Sequence, residues 1–180
     1  NPGQQYKNTR HNVGFWWIDF IGKNHKLDLK NSTKYIGQFC KHNQDGNVFF
    51  LKPSTFMNES GKSVQLLANF YRIKPEEIMI IHDELDIQPG ITKLKFGGGH
   101  GGHNGLKSIQ ASIGSNNFWR LRIGIGHPGS KEKVNGFVLS KPSNNESKLI
   151  EESILKSYEI FSYLMLGQFD KAMINLHSAI

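Results

Sequence analysis

Cysteine is nearly absent. Cys40 is the only one in 180 residues, so no disulfide can form within the chain, and a disulfide-stapled scaffold is excluded. Cys40 lies in the alternating stretch 35–40 and is expected to be buried filler. No apolar run approaches the ~20 residues of a membrane helix, and there is no signal-like start. These absences predict a soluble, cytoplasmic protein without a membrane partner. Internal repeats and linker-like tracts are also missing, so residues 1–180 are expected to form a single domain with a substantial core.

Acidic residues are scarce where basic ones gather. The chain carries 22 Lys and Arg against 15 Asp and Glu, a net charge of +7. Between residues 93 and 133 stand Lys93, Lys95, Lys107, Arg120, Arg122, Lys131 and Lys133 against Glu132 alone, so this segment accounts for +6 of it. The same segment contains Gly97-Gly98-Gly99-His100-Gly101-Gly102-His103-Asn104-Gly105-Leu106-Lys107, in which six of eleven residues are glycine. A strand-like stretch precedes it and a helix-like stretch follows, with Asn104 placed to cap the helix. Strand, glycine loop and helix N-terminus make an arrangement suited to phosphate. Beside a basic patch, it points to a nucleic-acid backbone.

Two nucleotide templates fail on what they lack. A Walker loop requires glycine directly before its Lys-Ser pair, and here Leu106 precedes Lys107-Ser108. The dinucleotide fingerprint matches at Gly97, Gly99 and Gly102, but the next strand, 121–126, ends without the carboxylate that would take a ribose.

Hydrophobic spacing predicts alternating α and β elements. Residues 13–22 read as a helix crowded with Phe15, Trp16, Trp17, Ile18 and Phe20. Residues 35–41 and 48–51 read as a hairpin turning at Gln44-Asp45-Gly46-Asn47. Residues 58–71 are helical, with Val64, Leu67, Ala68 and Tyr71 on one face. The apolar run 78–81 is expected to be a central strand, and 121–125 another. Residues 145–166 and 168–178 close the chain as helices, and 127–142 is a loop-like insert, a candidate flap. The fold class is α/β: a mixed, mostly parallel twisted sheet flanked by helices.

Several polar residues stand where strands end or helices begin: His11-Asn12, Asn58, His82-Asp83-Glu84 and Asn104. Ligands in open α/β sheets bind there. Each has a plainer reading. Asn58 and Asn104 suit helix caps, Asp83 a turn, His11 packing beside Trp16 or Trp17, and His82 a satisfied, partly buried imidazole. One histidine oriented by one carboxylate can activate water, with asparagine amides stabilising an oxyanion. Alternatively, His100 and His103 with His82, Asp83 or His127 supply ligand types for zinc or manganese, although a glycine-rich loop holds ligands poorly. A non-catalytic RNA-binding module is the third reading.

Four long motifs in order settle the comparison with a known family. Thr9-Arg10-His11-Asn12-Val13-Gly14, Phe56-Met57-Asn58-Glu59-Ser60-Gly61-Lys62, His82-Asp83-Glu84-Leu85-Asp86 and the glycine segment 97–107 closely resemble bacterial peptidyl-tRNA hydrolase. Residues 120–129 and 136–142 continue the likeness. The resemblance implies a metal-independent esterase, without cofactor, that frees tRNA from an attached peptide, with peptidyl-tRNA as partner and a monomer as the working form. It implies His11 as general base and Asp83 as its orienting carboxylate. Asn1, Phe56, Asn58 and Asn104 are implied to touch the substrate. Lys95 and Arg122 are implied to grip the tRNA 5′ phosphate, with Lys131 or Lys133 adding backbone contacts. The family carries a hydrophobic strand before its Asn-Pro-Gly turn, whereas this chain opens on Asn1-Pro2-Gly3, so further residues are expected before Asn1.

Overall fold

Helical spacing and strand alternation sort most of the buried apolar residues onto the two faces of a central three-stranded sheet. The computed structural model describes residues 1–42 and 47–178. The chain runs through α1 (Val13–His25), β1 (Lys30–Ser32), β2 (Gly37–His42), β3 (Val48–Pro53), α2 (Ser60–Tyr71), β4 (Met79–Glu84) and β5 (Thr92–Phe96). It continues through α3 (Asn104–Ile113), β6 (Trp119–Gly124), α4 (Lys131–Val138), α5 (Asn144–Ser157), α6 (Phe161–Met165) and α7 (Phe169–Ser178). Single 3-10 turns at Arg10–Asn12 and Met57–Glu59 lead into α1 and α2.

The α/β class holds, and its mixed character is clear, but the parallel share is smaller than expected. The described strands form two three-stranded sheets, ordered β1-β2-β3 and β4-β6-β5. Only β4 and β6 pair in parallel; β5–β6 and both pairs of the first sheet are antiparallel. The expected hairpin is present as β2–β3, with His42 opposite Val48. Positions 44–46 of its expected turn lie outside the described residues. β6, expected only as another strand, is the middle one, and β4 has one partner among the described strands. The continuous apolar run in β4 comes from helices on both faces. Ile80 packs with Leu106 and Ile109 of α3, while Met79 and Ile81 join the cluster built on Val13, Trp17 and Ile21 of α1.

That larger cluster is the core. It joins α1 to Leu94, Leu121 and Ile123 of β5 and β6, Ile150 and Ile154 of α5, Phe161 of α6, and Ala172 and Leu176 of α7. Each fully buried branched side chain there contributes about 1.5–3 kcal/mol. Residues 131–138, expected in a loop, are helical because Val134, Phe137 and Val138 supply the i, i+3, i+4 spacing that seats α4 on this core. No helix among the described residues is long and apolar enough to cross a membrane.

The second face of the sheet is only partly covered. Register places Lys93 opposite Arg122 and Lys95 opposite Arg120, and Arg122 beside His82 of β4. Alternation then puts all four cations on the α3 side. Because α3 packs on β4, this side of β5 and β6 is left as a basic shelf next to the glycine loop.

Candidate active site

A close contact brings the two ends of the site together. Gly14, in the first turn of α1, rests on β4: a Cβ added there would lie 2.3 Å from the Ile81 carbonyl oxygen. No other residue permits this approach, and it lays the turn Arg10–Asn12 against the carboxyl end of β4. His11 Nδ1 thereby stands 2.9 and 3.0 Å from the two oxygens of Asp83, whose residue is only 3% exposed. A carboxylate only accepts, so Nδ1 carries the proton and Nε2 keeps its lone pair.

A second imidazole shares the carboxylate. His103 Nε2 lies 2.9 Å from Asp83 Oδ1. Its other nitrogen, Nδ1, accepts the backbone N–H groups of Gly105 (3.1 Å) and Leu106 (3.3 Å) at the start of α3. These contacts assign the proton of His103 to Nε2. Burial alone pushes the Asp83 carboxyl up. The facing imidazoles of His103 and His11, through charge and hydrogen bonding, overcome this and hold it well below the usual carboxylate range.

His82 is a structural neighbour of the pair. Its Nδ1 donates to the Asp83 carbonyl at 2.7 Å, and its buried Nε2 has no partner among the described residues. Burial, then the neighbouring His103, pushes His82 down to about 3. It is therefore a neutral imidazole at ordinary pH; its sequence position suggested a satisfied, partly buried ring, whereas the ring is buried and only one of its nitrogens is partnered among the described residues.

His11, Asp83 and His103 offer ligand atoms within 4.8 Å of one another, the geometry a metal ion would want. The donor set does not fit one. A metal on His103 Nε2 would move the proton to Nδ1, where it would face two backbone donors and break the cap of α3. The other expected ligands, His100 and His127, accept Gly102 N–H and Gly129 N–H in their own turns.

The asparagines divide into framework and free amides. Asn12, buried, accepts the nitrogen of Asn1 at 2.7 Å and donates to its carbonyl at 2.9 Å. Asn1 Oδ1 accepts the Met57 N–H at 2.9 Å, which fixes the Asn1 amide against the cavity wall that it shares with His11, Asp83 and His103. Asn58 and Asn104 are not caps. Asn58 lies inside the turn Met57–Glu59, and α3 is capped by His103. Both are exposed, and neither side chain hydrogen-bonds to another described residue. They sit on elements that pack together at the rim, beside the cavity-lining Met57 and Gly105. Phe56 is 53% exposed and meets Tyr6 edge-on at 6.5 Å.

The cations also differ in their commitments. Arg120 is buried and donates to the carbonyls of Gly98 and, at 2.6 Å, Gly99. It holds the glycine loop in place. Lys95 is exposed and without a partner among the described residues. Arg122 is its diagonal neighbour, with Nε donating to Glu84 Oε2 at 2.8 Å. Lys131 and Lys133 occupy the first turn of α4, exposed. Sequence reasoning missed Arg10. This buried arginine donates to the carbonyls of Phe137 (3.3 Å), Ser140 (3.4 Å) and Lys141 (3.0 Å) and pairs with Glu146 at 3.0 Å. It ties the turn that holds His11 to the carboxyl end of α4.

A family model described as peptidyl-tRNA hydrolase matches residues 1–180. The peptidyl-tRNA hydrolase of Proteus mirabilis is 52% identical over 99% of this chain and 93% of its own length. That of Delftia acidovorans is 51% identical over 99% and 86%. The crystal structure of the Acinetobacter baumannii enzyme superposes with a TM-score of 0.94 at 48% identity, covering 98% of this chain and 90% of its own.

Proposed function

The chain belongs to the peptidyl-tRNA hydrolase family, and from that premise we propose that His11, oriented by Asp83, is the base with which it hydrolyses peptidyl-tRNA. The observation that carries this assignment is the pair itself: Nδ1 is held by a buried carboxylate and Nε2 is left free.

The bond cleaved joins the peptide to the terminal ribose of tRNA. Water beside His11 gives its proton to Nε2 as its oxygen adds to the ester carbonyl. The imidazolium so formed points Nδ1–H at Asp83, which stays ionised and stabilises the charge. The carbonyl oxygen becomes an oxyanion, which the fixed Asn1 amide, through its Nδ2, and the free amides of Asn58 and Asn104 are suited to receive. Collapse of the adduct expels the ribose oxygen, which takes the proton back from His11 Nε2. No metal is needed in this sequence, and the tautomer of His103 opposes one.

Phe56, exposed at the rim, offers an apolar surface for a peptide side chain. Lys95 and Arg122 on the basic shelf take tRNA phosphate, the 5′ phosphate in particular, and Lys131 and Lys133 extend the contact along the backbone. All the groups named lie around one cleft and one shelf of a single domain, and the substrate supports a cytoplasmic setting.

The test is hydrolysis of N-acetyl-aminoacyl-tRNA in EDTA by the parent and by His11→Ala. Turnover by the parent and a loss of at least about 100-fold in the variant is expected. Equal rates would remove His11 from the mechanism.

A further inference from the structure

Arg122 meets its acidic neighbour through one nitrogen only. Nε donates to Glu84 Oε2 at 2.8 Å, while the two Nη groups have no partner among the described residues. The second oxygen of Glu84, Oε1, accepts the Asp86 N–H at 3.3 Å. Glu84 is thus braced from the backbone on one side and holds the guanidinium by its edge on the other. Arg122 is 22% and Glu84 18% exposed at the side chain, so the pair lies at the shelf surface. The neighbouring Arg120 shows the alternative fate of a guanidinium here: its Nη groups are spent on the carbonyls of Gly98 and Gly99.

We propose that Glu84 is a positioning residue for tRNA binding, which holds Arg122 by Nε so that its Nη fork faces the shelf and receives a backbone phosphate. A guanidinium offers five donors in a rigid plane, and fixing one edge sets the direction of the others. A fork held in place loses less side-chain entropy when a phosphate arrives. The consequence runs against simple charge counting. Glu84 is a negative charge within a phosphate-binding surface, so its removal should tighten RNA binding if charge were all that mattered. Under the positioning role, its removal weakens binding. The proposal rests on the reading of Arg122 as a phosphate contact.

The test is binding of deacylated tRNA, followed by fluorescence anisotropy across a potassium chloride series. Four full-length proteins are compared: parent, Arg122→Ala, Glu84→Ala and Glu84→Gln. Losing one phosphate contact flattens the slope of log K against log salt by about 0.7–0.9. Arg122→Ala and Glu84→Ala are both expected to show that change, with a roughly three- to tenfold weaker Kd at low salt. Glu84→Gln keeps an oxygen that accepts from Nε and is expected to recover most of the slope. Binding by Glu84→Ala as tight as the parent or tighter, at the parent slope, would overturn the proposal and leave Glu84 a mere competing charge. So would a glutamine variant as weak as the alanine one. A parent-like slope in Arg122→Ala would instead remove the phosphate reading itself, and the proposal with it.

Discussion

His103 donates to Asp83 Oδ1 across 2.9 Å, on the same oxygen that receives His11. The two imidazoles are not equivalent. His103 is locked by α3, whose backbone donors occupy its Nδ1, whereas the Nε2 of His11 is open to the cavity. One carboxylate therefore serves an imidazole fixed at both nitrogens and one fixed at Nδ1 alone.

His103→Asn separates the two tasks of that residue. Asparagine is a good N-cap, so α3 keeps its start, and Asp83 loses one N–H donor. A carboxylate with one donor fewer is more basic, so Asp83, held low by His103 and His11, takes up its proton sooner as pH falls. Acid unfolding is expected to begin at higher pH in this variant than in the parent, while the melting temperature at pH 7 stays within a few degrees. His103→Ala should show the same acid shift and, in addition, lose about 1 kcal/mol with the cap. An unmoved acid transition in both variants would show that His103 acts only on the helix.

Acidification should reveal His82. Its folded value is lowered to about 3 from 6.5 by burial first and then by His103, with Asp83 and Arg120 as the other charged neighbours. Between these two values the unfolded chain binds a proton that the folded chain does not. The stability associated with neutral His82 is full above about pH 6.5 and is lost as pH falls toward 3. The slope approaches ~1.4 kcal/mol per pH unit below 6.5. Urea unfolding at pH 7 and pH 5 should therefore differ by about 2 kcal/mol more in the parent than in His82→Gln. Asp83 adds its own loss at lower pH. Its carboxyl is depressed, so its contribution is present above the unfolded value of 3.8 and falls away beneath it.

The candidate site was legible in the sequence to the extent that short local patterns encode its residues. His11, Asp83, Asn58 and Asn104 stand at element ends, and element ends meet in an α/β fold. The glycine loop and the basic segment announced the shelf. The sharing of Asp83 did not show, because His103 read as a loop residue, while its cap to Gly105 and Leu106 exists only once α3 has formed. Asn104 took the capping role in the sequence because asparagine is the better cap on average, and the local turn overruled that preference. Arg10 was invisible for a different reason. Its partners lie about 130 positions away, at Phe137, Ser140, Lys141 and Glu146, and no local pattern encodes such a distance. The helix α4 was hidden by Asn135 and Gly136, weak helix formers inside a spacing that only core contact reveals.

The shelf and the cleft should separate under mutation. Lys95→Ala removes an exposed cation that makes no hydrogen bond or ion pair with another described residue, so folding is expected to be unaffected. KM for N-acetyl-aminoacyl-tRNA should rise by about three- to tenfold, with the salt slope flattened by about 0.7–0.9. Hydrolysis of a short ester lacking the tRNA body should proceed at the parent rate. Replacing Lys131 and Lys133 together should act in the same direction. Equal losses on both substrates would place these lysines in the chemistry instead of in tRNA binding.

Gly14→Ala tests whether the approach of α1 to β4 sets the His11–Asp83 distance and, through it, the proposed chemistry. The added methyl group would lie 2.3 Å from the Ile81 carbonyl oxygen, a backbone atom in a strand already paired to β6. The strand has little room to yield, so α1 must lift, at a cost of about 1–3 kcal/mol. His11 leaves with it, and its Nδ1 loses the 2.9 Å contact to Asp83. A misplacement of about 1 Å is worth roughly 100-fold in rate, so kcat should fall by about that factor while tRNA affinity holds, since the shelf on β5 and β6 lies on the opposite face. A variant that melts lower but turns over at the parent kcat would show that the His11–Asp83 geometry does not depend on this contact.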